Sequence, residues 1–450
     1  MVSMEEHFDW GKLIRFTLPS IGMFIFTSIY GIVDGLFISN FAGTTSFAAV
    51  NLIMPVVIIF STVGYMLGTG GSALIAKTRG EGDDELANRY FSMIVYAAFI
   101  LGVILALIGA AAMEPLARFL GADESMVDIC VLYGDMLMIS LPFYVLQYLF
   151  QNLCVTAGKP TFGLVVIIIA GCMNMLLDAL FVGAFGWGVA GAAGATNISE
   201  FLGGGIPLIY FFRKNASYLR LGKTTFMPRA FGKACVNGLS EMMTSITMSL
   251  VTMLYNFQLM TFAGQDGVAA YGVIAYVVMV FAAIFMGYDM GSAPLMSFQY
   301  GAQNHKEMKN LFKKGLIFTC VGGILMFLAG QAFAGPIAAL FVGYDEGLRA
   351  FTEHGFRIYA FAFLLMGYSM YASALFTSLN NGVVSAIISF LRTLVFETSS
   401  VILLPMILGI DGIWLSVSVA EIAALIVSAA FIIALEPRYG YWRMKVKARP

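Results

Sequence analysis

The chain has 450 residues, 60% of them hydrophobic and only 11% charged, with a mean hydropathy of +0.86 and a formal net charge of −1. Soluble domains carry about 25% charged residues, so this composition excludes a soluble globular protein and points to an integral membrane one. The near-zero net charge says nothing about partners, because the charges are segregated along the chain.

The amino terminus, MVSMEEHFDWGK, is acidic and amphipathic. It lacks the basic region and small-residue cleavage site of a signal peptide, so the first apolar segment is expected to be kept as a span. A crossing helix needs about 20 apolar residues. Twelve segments meet that need: 13–41, 47–75, 90–113, 127–156, 160–183, 187–212, 233–263, 267–299, 314–334, 351–378, 383–408 and 412–435. Several are longer than required, which allows tilt or extension into water. The expected fold is therefore all-α, with twelve transmembrane helices.

The first span carries Asp34 in the run IGMFIFTSIYGIVDGLFISNFAG, with Pro19 fifteen residues earlier. A carboxylate at membrane depth costs roughly 2.5–3.5 kcal/mol on insertion scales, so Asp34 marks a functional site. Pro19 removes a helical hydrogen bond and can kink the span, either as a hinge or as a static bend. Gly22, Gly31 and Gly35 permit close helix approach.

The second span ends in GYMLGTGGSALIAKTRGEGDDELANRYF (64–91). The eighth ends in GYDMGSAPLMSFQYGAQNHKEMKNLFKKG (287–315), which repeats G-Y-x-x-G-[TS], a glycine entering a polar loop, and an amphipathic lead into the next helix. The polar stretch between the sixth and seventh spans divides them six and six. Residues 1–215 are expected to form one lobe, 216–232 a cytoplasmic linker, and 233–450 a second lobe related to the first by pseudo-symmetry, with a central cleft between them. Parallel repeats of this kind are a transporter design.

The fifth span carries Asn174 and Asp178 in GLVVIIIAGCMNMLLDALFVGAFG. Their i, i+4 spacing puts them on one face. Counting at 1.5 Å per residue places Asp34 roughly 10 Å below the outer end of its span and Asp178 at a similar depth. Thr196, in the sixth span, falls near the same level. Two carboxylates with Asn and Thr oxygens suit a small hard cation such as Na⁺, or a shared proton.

In the second half, Glu241 lies early in the seventh span, Asp289 near the inner end of the eighth, Arg392 in the eleventh, and Glu397 and Glu421 nearer the middle. Arg392 is expected to pair with one of these acids. The surplus negative charge would either attract organic cations as substrates or be neutralised by protonation. The 28 Met and 39 Phe are compatible with an adaptable, cation-attracting cavity, although most of them serve packing and the lipid surface.

Only Arg118 and Arg349 among the 25 Lys and Arg fall in loops of one face, and Arg357 and Arg392 fall in spans. The rest lie on the other face, which the positive-inside rule makes cytoplasmic, together with both termini. The expected location is the plasma (bacterial inner) membrane.

The stretch NMLLDALFVGAFGWGVAGAAGATNIS (174–199), the first-span run Pro19…VDGLFISNFAG with AAVNLIMPV, and LPMILGIDGIWLSVSVAE (404–421) resemble the multidrug and toxic compound extrusion (MATE) transporters, in particular their bacterial MepA-like branch. The resemblance covers the whole chain. It implies two six-helix lobes and alternating access driven by Na⁺ or H⁺ entry. It also implies that Asp34, Asn174, Asp178 and Thr196 form the cation-coupling set, binding Na⁺ if sodium is the ion, and that Pro19 bends the first helix. The acids that some members carry in the seventh and tenth helices are not matched. The tenth span has none in its interior, Glu241 sits earlier than the pattern, and Asp289 replaces a usually uncharged position.

The five cysteines are scattered, with no CxxC or Cys/His cluster, and His7, His305 and His354 fall in loops or near helix ends. There is no P-loop, no calcium-loop spacing in GEGDDE and no nucleic-acid-binding surface. The expected protein is not an enzyme and needs no cofactor beyond Na⁺ or H⁺ as coupling ion. It works as a monomer in the lipid bilayer, exporting amphipathic organic cations or drugs by antiport. The alternative, a flippase for lipid-linked oligosaccharides, would call for several basic residues in the cavity.

Overall fold

In a computed structural model, residues 4–41 and 44–442 are described. Four of the five basic residues at the carboxyl end and the first three residues therefore lie outside the described part. The described residues form helices and connecting loops, with no β-strand. In chain order they are α1 (Trp10–Phe41), α2 (Thr44–Gly80), α3 (Asp84–Phe119), α4 (Val127–Thr156), α5 (Pro160–Asp178), α6 (Gly188–Phe212) and α7 (Pro228–Gly301). There follow α8 (His305–Val342), α9 (Glu346–Tyr359), α10 (Phe363–Ser378), α11 (Gly382–Phe390), α12 (Thr398–Leu408) and α13 (Ile410–Tyr439).

Ten helices among the described residues are individually long and apolar enough to cross a membrane. The twelve expected spans are recovered once two features are recognised. First, the seventh and eighth spans form the single element α7, broken at Gly264, whose φ of 62° and ψ of −147° are a glycine conformation. Second, α6 carries glycines together with Thr196, Asn197, Ser199 and Glu200, which lower its hydropathy, yet at 25 residues it is long enough to cross. The tenth span is α9 and α10 joined by one 3₁₀ turn, and the eleventh is α11 and α12 joined by a π turn.

The repeat seen in the sequence is repeated in three dimensions. α2 and α7 each end in a three-residue loop followed by a capped helix. Asp83 accepts a hydrogen bond from the Leu86 N–H at 2.9 Å, and Asn304 accepts one from the Glu307 N–H at 3.2 Å. These caps satisfy otherwise orphaned N–H groups at helix starts. With 37 residues, α2 is about 55 Å long, well beyond the roughly 30 Å hydrocarbon core, so its end projects into water.

Each lobe has its own core. The first is built around Tyr133, Phe150, Phe91 and Phe211, and the second around Trp414, Phe356 and Phe363. Large apolar side chains such as Leu107, Phe119, Leu340 and Ile407 point outward and are strongly exposed. In water this would be a liability; against lipid it costs nothing.

The lobes meet through α2 and α1 against both limbs of α7. Gly238 lies on the Met66 carbonyl, Gly70 on Ala234, Gly80 on Phe298 and Gly301 on Lys77. The last two contacts are reciprocal: each lobe's loop-entering glycine seats on the other lobe's helix. Nearby, Gly291 and Gly287 seat on Thr17 and the Ser20–Ile21 backbone of α1. All of these contacts lie in the halves of the helices next to the basic loops, so that end of the cleft is shut. Pro19 falls inside α1 between these contacts. It is not singular, since Pro55, Pro142, Pro207, Pro294, Pro336 and Pro405 also lie inside helices.

Candidate functional site

The structure brings together the four residues expected in the first lobe. Asp178 and Asn174 are 0% and 2% exposed, while Asp34 and Thr196 are half-buried. The Asn174 amide donates to Thr196 Oγ1 at 3.4 Å, which leaves Asn174 Oδ1 free of that bond. Asp34 and Asp178 are close enough to interact directly as charges. Asp34 Oδ1, Asn174 Oδ1 and both oxygens of Asp178 are buried with no donor. Native interiors seldom leave so many acceptors orphaned in one place. Hard oxygen atoms in this number fit Na⁺ or a shared proton.

The local backbone positions this set. α5 passes directly from Asp178 into a π turn, Ala179–Ala184. A π turn widens the helix by one residue and is found mostly at functional sites. The eleventh span, the counterpart of α5 in the second lobe, has its own π turn over Leu391–Glu397. That turn carries Arg392 and Glu397.

The second-lobe residues line one cavity of about 180 Å³, together with Phe24, Tyr65, Thr69, Ser72 and Asn152 of the first lobe. Its floor begins just beyond the glycine contacts that shut the cleft. Glu241, Asp289, Glu397 and Glu421 all reach it. The expected ion pair is Arg392 with Glu421, at 2.7 Å, and Ser369 donates to the other Glu421 oxygen at 2.6 Å. Arg392 is thereby committed to Glu421, and Glu241 and Asp289 face the cavity as surplus acids. Tyr271, Tyr359 and Met366 supply aromatic and soft apolar walls. Arg357 pairs with Glu353 on the surface and does not enter the cavity.

Sequence reasoning passed over Glu200, one helical turn after Thr196 in α6 and 5% exposed. It was visible as an acid continuing the Thr196 face. Asp135 in α4, whose Oδ1 is also buried without a partner, was passed over too. The π turns leave no mark in the hydropathy pattern.

A two-lobed, multi-spanning helical protein with an acid-lined cavity between its lobes belongs to the membrane transporters. The MatE family model matches residues 19–180 and 242–401, one stretch in each lobe and most of the chain together, and this protein belongs to that family. It is a transporter and not an enzyme. The multidrug export protein MepA of Staphylococcus saprophyticus is 25% identical over 367 residues, covering 79% of this chain and 80% of that protein. MepA of Staphylococcus aureus strain MRSA252 is 22% identical over 428 residues, covering 95% and 94%.

The crystal structure of a MATE protein in complex with MaL6 superposes with a TM-score of 0.89 at 23% identity, covering 94% of this chain and 96% of that one. A MOP superfamily transporter from Pyrococcus furiosus, described by the reverse polarity of its binding pocket, superposes with a TM-score of 0.86 at 23% identity and the same coverage. These likenesses establish the fold, and with it the expected two lobes of six spans.

Proposed function

We propose that this protein is a secondary antiporter that exports amphipathic organic cations in exchange for inward movement of Na⁺ or H⁺ through Asp34, Asn174, Asp178 and Thr196. The observation that supports this reading is the group of four donorless, buried oxygens on three of those residues. A site that must both hold and release a cation keeps its oxygens free of permanent donors. The cavity lined by Glu241 and Asp289 is the seat for the exported cation. Its aromatic and methionine walls suit substrates of varied shape, and the names of the relatives, multidrug export proteins, agree with this.

The coupling ion sits within the first lobe and the substrate in the cavity between the lobes, so they communicate through the inter-lobe contact. Charge neutralisation at Asp34 and Asp178 changes how α1 packs, and α1 touches α7 through Thr17 and Ile21. Pro19, between them, is where α1 yields. The basic end of the cleft, cytoplasmic by the charge bias, is the gate that is closed here. The lobe boundaries at 215 and 233 and the monomeric state belong to the same proposal. A flippase for lipid-linked oligosaccharide is disfavoured because the cavity's arginine is already paired with Glu421.

The reading is tested with Asp34→Asn and Asp178→Asn in reconstituted vesicles. Each is expected to cut gradient-driven export at least tenfold while the protein stays folded. Undiminished export by both would remove the site assignment.

A further inference from the structure

Glu200 sits in a hydrogen-bond arrangement that cannot be completed by protons from its neighbours. Ser140 Oγ lies 2.5 Å from Glu200 Oε2 and 2.6 Å from Asn197 Oδ1, and 3.3 Å from the Leu137 carbonyl. All three partners are acceptors when Glu200 is ionised. A serine hydroxyl has one proton to give. The Asn197 amide cannot be turned round to supply another, because its Nδ2 already donates to the Met136 carbonyl at 2.9 Å. Two oxygen–oxygen contacts this short each need a proton between them. The hydroxyl supplies one, and the other has to come from the carboxyl of Glu200.

We propose that Glu200 is a third proton-binding acid of the coupling site, holding its proton through the Ser140–Asn197 clamp in the conformation described here. This rests on the antiporter reading for its purpose, though not for the proton itself. Glu200 is placed to sense the pair. Tyr30 and Asp34 of α1, and Tyr133, Tyr144 and Tyr148 of α4, lie within electrostatic range of it. α5 carries Asp178 beside Asp34, and the π turn after it carries no titratable side chain. The Tyr144 and Tyr148 hydroxyls are 2.7 Å apart, and Tyr148 stacks on Tyr65 with ring centroids 4.1 Å apart. Tyr65 lines the cavity between the lobes. Glu200 is thus linked electrostatically both to Asp34 and to the Tyr144–Tyr148 pair that leads to the cavity wall.

The test is infrared spectroscopy of the purified, folded protein in lipid across a pH series, on wild type, Glu200→Gln and Asp34→Asn. Glutamine keeps an N–H donor for Ser140, so the clamp and the fold are expected to survive. The wild-type spectrum should contain a protonated-carboxyl band that is lost in Glu200→Gln and kept in Asp34→Asn. That band should titrate while the protein remains folded, and its midpoint should move in Asp34→Asn. A spectrum with no Glu200-dependent band would overturn the proposal. So would a band that never titrates in the folded protein or ignores Asp34, which would make Glu200 a fixed structural donor. None of these readouts depends on export, so failure of the antiporter reading is scored separately.

Discussion

At the scale of residues, the protein concentrates charge where lipid and packing make charge expensive, and it does so in three chemically different ways. In the second lobe Arg392 and Glu421 form a compensated pair, 15% and 4% exposed at their side chains, with Ser369 satisfying the remaining Glu421 oxygen. Breaking such a pair by removing one partner strands the other. Glu421→Gln is expected to cost about 3 kcal/mol, read as a lower melting temperature in detergent. An unchanged melting temperature would mean that Arg392 finds another acid, with Glu397 the nearest in sequence. In the first lobe Asp34 Oδ1, Asn174 Oδ1 and both Asp178 oxygens are left without donors. There, neutral substitutions should spare or raise stability while removing coupling. Glu241→Gln and Asp289→Asn belong to a third kind, expected to alter which cations are exported more than how export is driven. Identical substrate profiles in both variants, measured by competition against a fluorescent cation, would show those acids to be structural.

Much of this was legible in the sequence. Asp34, Asp178 and Asn174 stood out because acids in apolar runs are rare, and helical spacing put two of them on one face. Glu200 is equally visible, as an acid one turn after Thr196, but it follows a glycine- and alanine-rich stretch with no other charge to mark it. What could not be read was the proton count at Ser140, because that depends on residues 57 and 60 positions apart in the chain.

Among elements, the even spacing of spans concealed how the chain turns. The sequence placed the seventh and eighth spans correctly but not their continuity through Gly264, because one residue at positive φ leaves hydropathy untouched. Gly409, between α12 and α13, has nearly the same conformation, φ 61° and ψ −140°. A Cβ at either glycine meets nothing within 4 Å, so any penalty is one of backbone strain. Gly264→Ala and Gly409→Ala are each expected to cost about 1–3 kcal/mol without changing substrate range. Thermal unfolding measures the first part and a competition profile the second. A stability unchanged in both would mean that the turns relax to another conformation. The paired π turns after Asp178 and around Arg392 are likewise invisible to periodicity. They show that the pseudo-symmetry of the lobes extends to the irregularities that serve the two sites.

For the whole molecule, closure at the basic end is made of two kinds of contact. One is the reciprocal seating of Gly80 and Gly301 with the Gly70 and Gly238 contacts. The other is the segment before α1, which crosses to the opposite lobe. Gln299 donates to the Met4 carbonyl at 2.7 Å, the Phe8 N–H donates to Glu307 Oε1 at 3.0 Å, His7 Nδ1 lies 2.6 Å from Glu307 Oε2, and Phe8 is fully buried. Under the proposed alternating access this end opens, so these contacts would break in every cycle. Gly238→Val, which forces a side chain against the Met66 carbonyl, and Phe8→Ala, which empties the strap's anchor, should both shift the population toward opening at the basic face. Distances between spin labels on α2 and α8 at that face would report the shift. Labels that stay at wild-type separation in both variants would show that closure is held elsewhere.

Binding of a cation or proton among Asp34, Asn174, Asp178 and Thr196 is proposed to drive export. It is tested most directly by ethidium movement in proteoliposomes, with pH and Na⁺ gradients imposed separately on wild type and Asp34→Asn. Movement under one gradient in the wild type, lost in the variant, is the predicted result, and it would identify the ion. Gradient-driven movement that survives in Asp34→Asn, or no movement under either gradient in demonstrably folded wild type, would contradict the account.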